Sequence, residues 1–573
     1  MTRARLPDPI RPSLTPVTMR RLPAVLLCAF AAACGADSGA ASNAAGGTVV
    51  ISTASDADIL LPALANLQQS QAIVQSIFDR LAEVGDGLNT VGDEGFRPRL
   101  ARSWSWAADS LSIAFTIDGR AKWHDGHPVT ARDVRFTWEL YVDPLTAAPY
   151  GPLLANIDSV TVRDSLTAVF WFKHRTPEQF FDATYQMLIH PEHLLRGIPH
   201  DQLRTAPFGR APVGSGRFRF VRWEPGARIE IASDTLNYAG RARLDRVIWT
   251  IAPDPNAAAN KVFARDADFF ENARPDNIAE LAGHPELKLV PYPSLQYGFI
   301  QFAFRENGSA RPHRLFADIR MRRAILLALD RPKMLRNIFD SLAVIPLGPV
   351  PHALATGPLA AGQPAVDLPG ASALLDSLGW ARQGSDGMRS RGATPLRFSL
   401  MVPSSSRVRL RYAVLVQEQL RAAGIQVDVE QLDPTAMSDR MAKRTFDAAI
   451  SALGTDPSPA TVRQNWGGAG AVVNGGPNHS GYASATFDAL IDSATTATTL
   501  AASHEYFRRA YRVINDDVPA IWLYEPRMAS IAHTRLQLTR LRADAWWAGL
   551  ADWSIPPGQR IARDKIGAGT TAK

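Results

Sequence analysis

Cysteine is almost absent from this 573-residue chain, which contains only Cys28 and Cys34. Because Cys28 falls in a segment that we expect to be removed, a disulfide is excluded in the processed chain. Lysine is also scarce, with eight among 62 basic residues, and no block of Lys or Arg indicates a nucleic acid or an anionic membrane surface as partner. Low-complexity tracts are absent too, so the length predicts a globular chain of two or three domains.

The apolar run near the N-terminus is too short to cross a bilayer as a helix. It extends from Leu22 to Ala33, follows two arginines and precedes Cys34. This pattern predicts a signal sequence over residues 1–33 that ends in a lipoprotein cleavage box, with lipidation at Cys34. An ordinary signal peptide cut nearby is the alternative, although Cys34 would then have no purpose. Residues 34–45 are rich in Gly, Ala and Ser, which is typical of a flexible tether.

Processing would also remove most of the net charge. Residues 1–33 contain five Arg and one Asp, so their loss lowers the formal charge from +7 to +3. A nearly neutral mature chain gives no electrostatic indication of a polyanionic partner.

Motifs of common enzyme classes are missing. The chain has no Gly-x-Ser-x-Gly elbow, no phosphate-binding Gly-x4-Gly-Lys-Ser/Thr loop, and no lysine preceded by Ser at three residues. The run His190-Pro191-Glu192-His193 does not have zinc-hydrolase spacing, and its proline disfavours a helix, so we interpret it as a surface turn. No His pair stands at i,i+4. We therefore expect no metal site, no cofactor and no enzyme, although a carboxylate-based hydrolase is not excluded by these absences.

The most informative stretch extends from Arg97 to Glu139. Residues Leu111 to Ile117 alternate apolar with small or polar side chains, which predicts a half-buried strand. Asp125-Gly126 indicates a tight turn because glycine tolerates positive φ. Thr130 is a helix cap, and Asp133 three residues later can reach back to it in a variant of the capping box.

These residues resemble a known family. Their order is similar to the signature of the family-5 extracellular solute-binding proteins, which are the peptide- and nickel-type receptors of bacterial ABC importers. The similarity lies in Leu100-Ala101, Trp104, the alternating strand, Trp123-His124-Asp125-Gly126 and Pro128 to Val134. The resemblance extends from about residue 47 to 540. It includes the segment around Gly214 and Gly216, whose spacing predicts close backbone packing rather than a phosphate site.

Other patterns predict elements along the chain. Ile73, Ile77, Leu81 and Val84 share one helical stripe, which Gly85 would end. A helix follows Asp318, helices and strands alternate over 371–453, and a last long helix includes Tyr506 to Val513.

The resemblance implies an α/β fold of the two-lobed periplasmic binding protein class, with an additional inserted domain and mixed sheets flanked by helices. Two crossover segments, 292–304 and 518–524, would form the hinge. We assign residues 46–70, 212–296 and 521–573 to lobe I, 71–211 to the inserted domain and 297–520 to the distal lobe.

Four residues are candidates for ligand contact. In peptide-binding relatives an acidic residue at the position of Asp456 pairs with the free amino group of the ligand, a charge-assisted contact. Asp before Pro is also a common start of a turn, and both readings stay open. Trp466, Tyr482 and Tyr297 would wall the cleft, while packing in the core is the alternative for such aromatic residues.

The function implied is substrate binding for an ABC importer. Such a protein captures an oligopeptide or dipeptide between its lobes and delivers it to membrane permease subunits. We expect a monomer anchored by lipid at Cys34 on the periplasmic or cell-surface side. Alternatives are the same fold binding a nickel complex or oligosaccharide, a sensor lipoprotein, and an exported hydrolase.

Overall fold

The structure is a computed structural model, and it describes residues 45–382, 387–472 and 476–565. The predicted signal sequence, the lipidation site Cys34 and all but the last residue of the predicted tether lie outside these residues. Within the described part of the chain, no helix combines the length and the hydropathy needed to cross a membrane.

The strands, in chain order, are as follows: β1 (Thr48–Thr53), β2 (Ala82–Glu83), β3 (Arg97–Pro98), β4 (Ala101–Trp106), β5 (Ser112–Ile117), β6 (Ile157–Asp164), β7 (Thr167–Phe172), β8 (Phe218–Glu224), β9 (Arg228–Ser233), β10 (Arg246–Ile251), β11 (Phe269–Phe270), β12 (Leu287–Tyr292), β13 (Gln296–Phe302), β14 (Ala343–Val344), β15 (Ala381–Arg382), β16 (Arg389–Arg391), β17 (Thr394–Pro395), β18 (Arg397–Pro403), β19 (Gln426–Leu432), β20 (Ala448–Gly454), β21 (Ala520–Pro526) and β22 (Met528–His533).

The α-helices, in chain order, are as follows: α1 (Gln68–Ile77), α2 (Ala131–Val142), α3 (Gln179–Thr184), α4 (Glu192–Leu195), α5 (Pro255–Phe263), α6 (Pro275–Glu280), α7 (Ile319–Leu327), α8 (Arg331–Phe339), α9 (Leu368–Ser377), α10 (Arg407–Ala422), α11 (Pro434–Ala442), α12 (Ala460–Trp466), α13 (Gly468–Val472), α14 (Ala485–Thr496) and α15 (Leu500–Asp517). Short 3-10 turns join several of them, including Gly151–Leu154, His200–Thr205 and Trp546–Asp552.

Two large mixed sheets and a smaller antiparallel sheet organise the chain. The seven-stranded sheet has the order β12-β22-β11-β1-β10-β9-β8, and the six-stranded sheet has the order β14-β21-β13-β20-β18-β19. A four-stranded sheet, β4-β5-β7-β6, is formed by residues between β1 and β8 in the sequence. Helices accompany all three sheets, so the predicted α/β class with mixed sheets is confirmed.

Two short connections join the large sheets. Residues 293–295 link β12 in the seven-stranded sheet to β13 in the six-stranded one, and Arg527 alone links β21 to β22. The hydroxyl of Ser294 donates a 2.6 Å hydrogen bond to the carbonyl of Pro526, so the two connections lie side by side. Two connections between the sheets are present as predicted, and the first lies within the predicted segment 292–304. The second is Arg527, so the predicted segment 518–524 is wrong, because most of it belongs to β21. The predicted boundary at 521 falls inside β21, a strand of the six-stranded sheet, and the division into lobes stays a prediction.

Most local features of the stretch 97–139 are confirmed. Strand β5 forms over most of the alternating residues, but five of its six residues are buried, so the prediction of a half-buried strand is wrong. Gly126 adopts a φ of +93° in the predicted turn. At the start of α2, the backbone N–H of Thr130 donates to Asp133 Oδ2 at 2.7 Å, and its hydroxyl donates to the same oxygen at 2.9 Å. The capping pair therefore forms as the sequence indicates.

The helix predicted from Ile73 to Gly85 is wrong in length. Helix α1 ends at Ile77, and the apolar residues beyond it lead into the short strand β2. The backbone N–H of Gly216 donates to the carbonyl of Ile77 at 2.7 Å, which takes the acceptor that another helical turn would use. A Cβ on Gly214 would lie 2.1 Å from the same carbonyl oxygen, so the close backbone packing predicted for this glycine pair is confirmed.

The surface turn predicted at His190 to His193 is wrong, because His190 and Pro191 are buried and helix α4 begins at Glu192. His190 is fully buried, and its Nε2 accepts a 3.3 Å hydrogen bond from the N–H of Ala63. Burial lowers the pKa of this imidazole to about 3, so the ring is neutral. The chain reaches the surface only three residues later, where His193 lies exposed on α4.

Candidate functional site

The end of β20 presents backbone groups that no described strand occupies. The N–H of Thr455 donates to Leu295 at 2.8 Å and the N–H of Ala303 donates to Asp447 at 2.9 Å, so odd-numbered residues of this stretch exchange hydrogen bonds with β13. Because the hydrogen-bonding direction alternates along an antiparallel pair, the even-numbered residues direct their N–H and C=O groups to the opposite side.

On that opposite side the neighbouring strand, β18, pairs with only the first part of β20. Strand β18 pairs with β20 only at Ala448 and Ala449. The backbone groups of Ala452 and Gly454 therefore face a side of β20 without a partner among the described strands, and both residues are exposed. Such an edge can accept an extended segment of another molecule as an added strand.

Two cavities flank this edge. The first, of about 280 Å³, includes Ser451, Ala452 and Leu453 of β20 in its wall. The second, of about 380 Å³, includes the next segment, Thr455 to Pro457. Because the two walls are consecutive in sequence, the cavities follow one another along the end of the strand. This edge and the two cavities are the candidate site.

Amide and aromatic side chains dominate the larger cavity. Its wall also includes α1, the residues 78–217 that lie between α1 and β8 (the four-stranded-sheet region) and the C-terminal segment. These contribute Gln68, Gln71, Gln75, Tyr141, Tyr150, Tyr185, Gln186 and Trp547. The indole N–H of Trp547 donates to Gln75 Oε1 at 3.0 Å, which positions both side chains. Amides can donate and accept hydrogen bonds with a peptide backbone, and flat aromatic rings suit many side chains.

Two other charged residues of this wall, Arg80 and Asp544, are held by neighbouring protein groups. Arg80 lies 4.5 Å from the centre of the Tyr185 ring and donates to the Tyr185 carbonyl at 2.8 Å. The Tyr185 hydroxyl donates to Asp544 at 2.9 Å, and Arg542 contacts the same carboxylate at 2.8 Å. The charged side chains of Arg80 and Asp544 therefore already have partners within the protein.

Asp456 differs, because its carboxylate is exposed at the cavity wall and makes only a local contact that would start a turn. The N–H of Ser458 donates to Asp456 Oδ1 at 3.1 Å. The desolvation caused by surrounding protein raises the pKa of Asp456, and the hydrogen bond from Ser458 opposes that rise. The backbone N–H of Asp456 itself lowers the pKa as well, so the protein contacts of this carboxylate are local. The turn contact and a ligand contact are thus compatible at one side chain.

The Asp456 loop is joined to the four-stranded-sheet region through Glu178. Ser458 donates from its hydroxyl to Glu178 Oε2 at 2.8 Å, and Thr90 donates to Oε1 at 2.6 Å. Burial raises the pKa of Glu178, the two hydroxyl donors lower it, and the nearby charge of Asp456 raises it further. A cationic group placed beside Asp456 would relieve that repulsion.

The three aromatic candidates are buried, and they occupy different places. Trp466 donates from its indole N–H to the Tyr297 hydroxyl at 3.1 Å, and each is at most 2% exposed. Trp466 also borders the 280 Å³ cavity. Tyr482 packs against Phe304 and donates to Asp517 at 2.7 Å, and it borders neither cavity of the candidate site. The structure thus joins Trp466 and Tyr297 by a hydrogen bond, whereas Tyr482 lies outside the walls of both cavities.

Several residues of the candidate site were not predicted from the sequence, although the spacing of some of them indicates a shared helix face. Gln68, Gln71 and Gln75 recur at i, i+3 and i+7, which places three amides on one side of α1. Such a polar stripe on a helix predicts a face that lines water or a ligand. Trp547 had no such signal, because its position depends on where the C-terminal segment packs.

Known proteins resemble this chain over most of its length. A family model described as "Bacterial extracellular solute-binding proteins, family 5 Middle" matches residues 95–473. The oligopeptide-binding protein AppA of Bacillus subtilis is 26% identical over 526 residues, which cover 88% of this chain and 92% of the relative.

Solved structures show the same fold. AppA from Bacillus subtilis in complex with a nonapeptide matches with a TM-score of 0.62 at 24% identity, over 90% of this chain and 99% of that one. The substrate-binding protein CtaP from Listeria monocytogenes matches with a TM-score of 0.72 at 18% identity, over 89% of this chain and 99% of that one. At these identities the likeness establishes the two-lobed fold and no ligand.

Proposed function

The chain belongs to family 5 of the bacterial extracellular solute-binding proteins, and we propose that it captures an oligopeptide or dipeptide for an ABC importer. The observation that carries the proposal is the unpaired edge of β20 at Ala452 and Gly454, which lies between two cavities. A peptide in extended form would pair with this edge through its main chain, and its side chains would enter the cavities.

Asp456 gives the bound peptide a direction. Its exposed carboxylate follows Gly454 by two residues, so a peptide paired along the edge would place one end beside it. The α-amino group is the cationic end, and a charge-assisted hydrogen bond to Asp456 would fix it there. The amide and aromatic wall of the larger cavity would then surround the first residues of the ligand without a charge requirement.

Closure of the lobes completes the proposal. The two connections at 293–295 and Arg527 concentrate the flexibility in a few residues, as a hinge requires. Closing on a ligand would exclude water and strengthen the hydrogen bonds to its backbone. The closed form would be the one recognised by membrane permease subunits, and a monomer anchored by lipid at Cys34 would remain close to them.

The proposed role is binding alone, without a chemical reaction of the ligand. The family is one of solute-binding proteins. Two relatives of this chain, oligopeptide-binding protein AppA and Di/tripeptide-binding protein 2 of Pseudomonas aeruginosa, carry names that describe peptide binding. We therefore propose that the protein releases the captured peptide without cleaving or modifying it.

Native mass spectrometry of the purified protein tests the ligand class. A ladder of adducts with peptide masses supports general peptide capture, whereas one discrete non-peptide mass would contradict it and indicate a dedicated solute. Incubation with a tripeptide followed by mass analysis of the peptide tests the absence of chemistry, because any cleavage product would contradict a pure binding role.

A scan of N-methylated peptides tests the pairing with β20 without altering the protein. Methylation of a peptide nitrogen removes the donor that strand pairing needs. We expect at least a tenfold loss of affinity for methylation at alternate residues and little change at the residues between them. A uniform response along the peptide would contradict binding as an added strand.

A further inference from the structure

Three ligand-type side chains converge on a surface outside the candidate site. Asp125 and His127 lie on either side of the Gly126 turn, and His193 lies on α4. One side-chain atom from each residue falls within a group whose members are all within 4.8 Å of one another. All three residues are exposed, and none borders either cavity of the candidate site.

The contacts within this cluster already have near-coordination spacing. Asp125 Oδ2 lies 2.8 Å from His193 Nε2, and Asp125 Oδ1 lies 3.3 Å from His127 Nδ1. The two imidazole rings are 4.3 Å apart between centres. Ligand atoms bound tetrahedrally at about 2.0–2.1 Å from one ion are separated by about 3.3 Å. Small side-chain rotations would therefore bring all three atoms onto a single ion.

We propose that Asp125, His127 and His193 bind a divalent transition-metal ion, with Zn²⁺ as the best fit. Two imidazole nitrogens and one carboxylate oxygen form a ligand set typical of zinc, whereas calcium and magnesium prefer oxygen ligands alone. Because the cluster is exposed, the remaining coordination positions are open to water or to a donor from another molecule. The site is independent of the proposed peptide binding.

The two segments that provide the ligands are held by the same helix. The N–H of Glu192 donates to Asp133 at 2.9 Å, and the Glu192 carboxylate receives two hydrogen bonds from Arg132, at 2.9 and 3.1 Å. Both partners lie in the first turn of α2, which directly follows the loop of Asp125 and His127. The ligands are thus presented by rigid neighbours, which reduces the cost of ordering them on binding.

A matched control is present on the same part of the molecule. His200 Nδ1 lies 2.7 Å from Asp143 Oδ2, so this pair reproduces the His–Asp contact of the cluster. Among the described residues, no third His, Cys, Asp or Glu lies close enough to this pair to complete a group of three ligands. Substitution of His200 therefore removes a surface imidazole without touching the proposed site.

Isothermal titration of the untagged, EDTA-treated full chain with ZnCl₂ at pH 7.5 tests the proposal. We expect one site, and we expect His193→Ala and His127→Ala each to weaken it by at least tenfold while His200→Ala leaves it unchanged. Zn²⁺ should also raise the melting temperature of the wild type and of His200→Ala, but not that of His193→Ala.

Cobalt absorption provides a second readout that does not depend on heat of binding. Co²⁺ in the wild type should give visible d–d bands that His193→Ala loses. If zinc affinity is equal in the wild type and both imidazole variants with unchanged melting temperatures, the ion binds elsewhere and the proposal is overturned. Absence of any binding to the wild type overturns it as well.

Discussion

Ser458 donates a 2.8 Å hydrogen bond from its hydroxyl to the buried carboxylate of Glu178. The bond connects the loop that follows β20 to the residues just before α3, which lie 280 positions earlier in the chain. It therefore couples the position of Asp456, two residues before Ser458, to the four-stranded-sheet region that forms the other wall of the larger cavity.

Removal of this contact should weaken ligand binding. Ser458→Ala leaves Glu178 with one hydroxyl donor, Thr90, and frees the loop at the cavity wall. A net hydrogen bond contributes about 1 kcal/mol, so we expect about a fivefold loss of peptide affinity in calorimetric titrations. Thr461→Ala is the control, because the Thr461 hydroxyl, in the first turn of α12, donates to the carbonyl of Ser458 and does not contact Glu178. Equal losses in both variants would contradict a role of the Glu178 contact.

The two roles of Asp456 can be separated by two substitutions. Asp456→Asn keeps an oxygen that accepts from the Ser458 N–H but removes the charge, whereas Asp456→Ala removes both. Loss of a charge-assisted contact costs about 1.5–3 kcal/mol, so Asn at this position should lower the affinity for peptides with a free amino group by at least about tenfold. Peptides with an acetylated amino group should bind both proteins equally.

The control for this pair is Asp109→Asn, since Asp109 accepts from the N–H of Leu111 at 2.9 Å in a similar turn outside the two cavities. Because the pKa of Asp456 is raised, wild-type affinity should fall on acidification earlier than an ordinary aspartate would cause. Unchanged affinity in Asp456→Asn, together with a lower melting temperature in Asp456→Ala, would leave Asp456 with the turn role alone.

Local sequence predicted the elements whose causes are local. The capping pair Thr130 and Asp133, the Gly126 turn and strand β5 depend on residues within a few positions of one another, and all three form. The end of α1 did not follow, since the hydrogen bond that stops it at Ile77 comes from Gly216, which is distant in sequence. Periodicity of apolar residues cannot reveal a competing tertiary donor.

The site was predictable only in part for the same reason. Asp456 was identified from its position in the family pattern, but the free edge at Ala452 and Gly454 exists because β18 separates from β20 after Ala449. His127 and His193 are likewise 66 residues apart, so no spacing rule for adjacent histidines could detect them. Burial of Tyr482 against Phe304 depends on packing that alternation patterns do not encode.

The stability of the protein should depend on pH through Glu271. This carboxyl is buried beside the hinge-end residues Tyr292 and Met528 and accepts one hydrogen bond, from Gln69 at 3.0 Å. Burial raises its pKa from 4.5 to about 7, with the Gln69 bond opposing the rise. Between those values the folded state holds a proton that the unfolded state releases, so this group makes unfolding easier as pH rises from 4.5 to 7.

Glu271→Gln removes that dependence. Relative to the wild type, the free energy of unfolding of the variant should rise between pH 5 and pH 8 by on the order of 3 kcal/mol, the equivalent of the pKa shift. Chemical denaturation at several pH values measures the difference. Glu280→Gln is the control, since Glu280 is exposed at the end of α6. A difference between Glu271→Gln and the wild type that stays constant with pH would contradict the assignment.

A buried ion cluster should dominate the stability of the seven-stranded sheet. Arg535 is 3% exposed and contacts Asp268 and Asp564, both fully buried at their side chains, at 2.9 and 2.6 Å. These carboxylates also accept from the first strand: the N–H of Thr48 donates to Asp564 and that of Val50 donates to Asp268. The Arg535 guanidinium thus bridges the two carboxylates that accept from β1, and one of them, Asp564, belongs to the C-terminal segment.

Arg535→Met should therefore destabilise the protein by about 3–5 kcal/mol, because it leaves a buried carboxylate without its cation. Arg563 also contacts Asp268, so most of the loss falls on Asp564. The double variant Arg535→Met with Asp564→Asn should recover part of the stability, since the uncompensated charge is then absent. Arg320→Met, which removes an exposed partner of Asp318, should leave the stability nearly unchanged because water screens that ion pair. Equal denaturation midpoints for Arg535→Met and Arg320→Met would show that solvent reaches the cluster and that its burial does not determine its contribution.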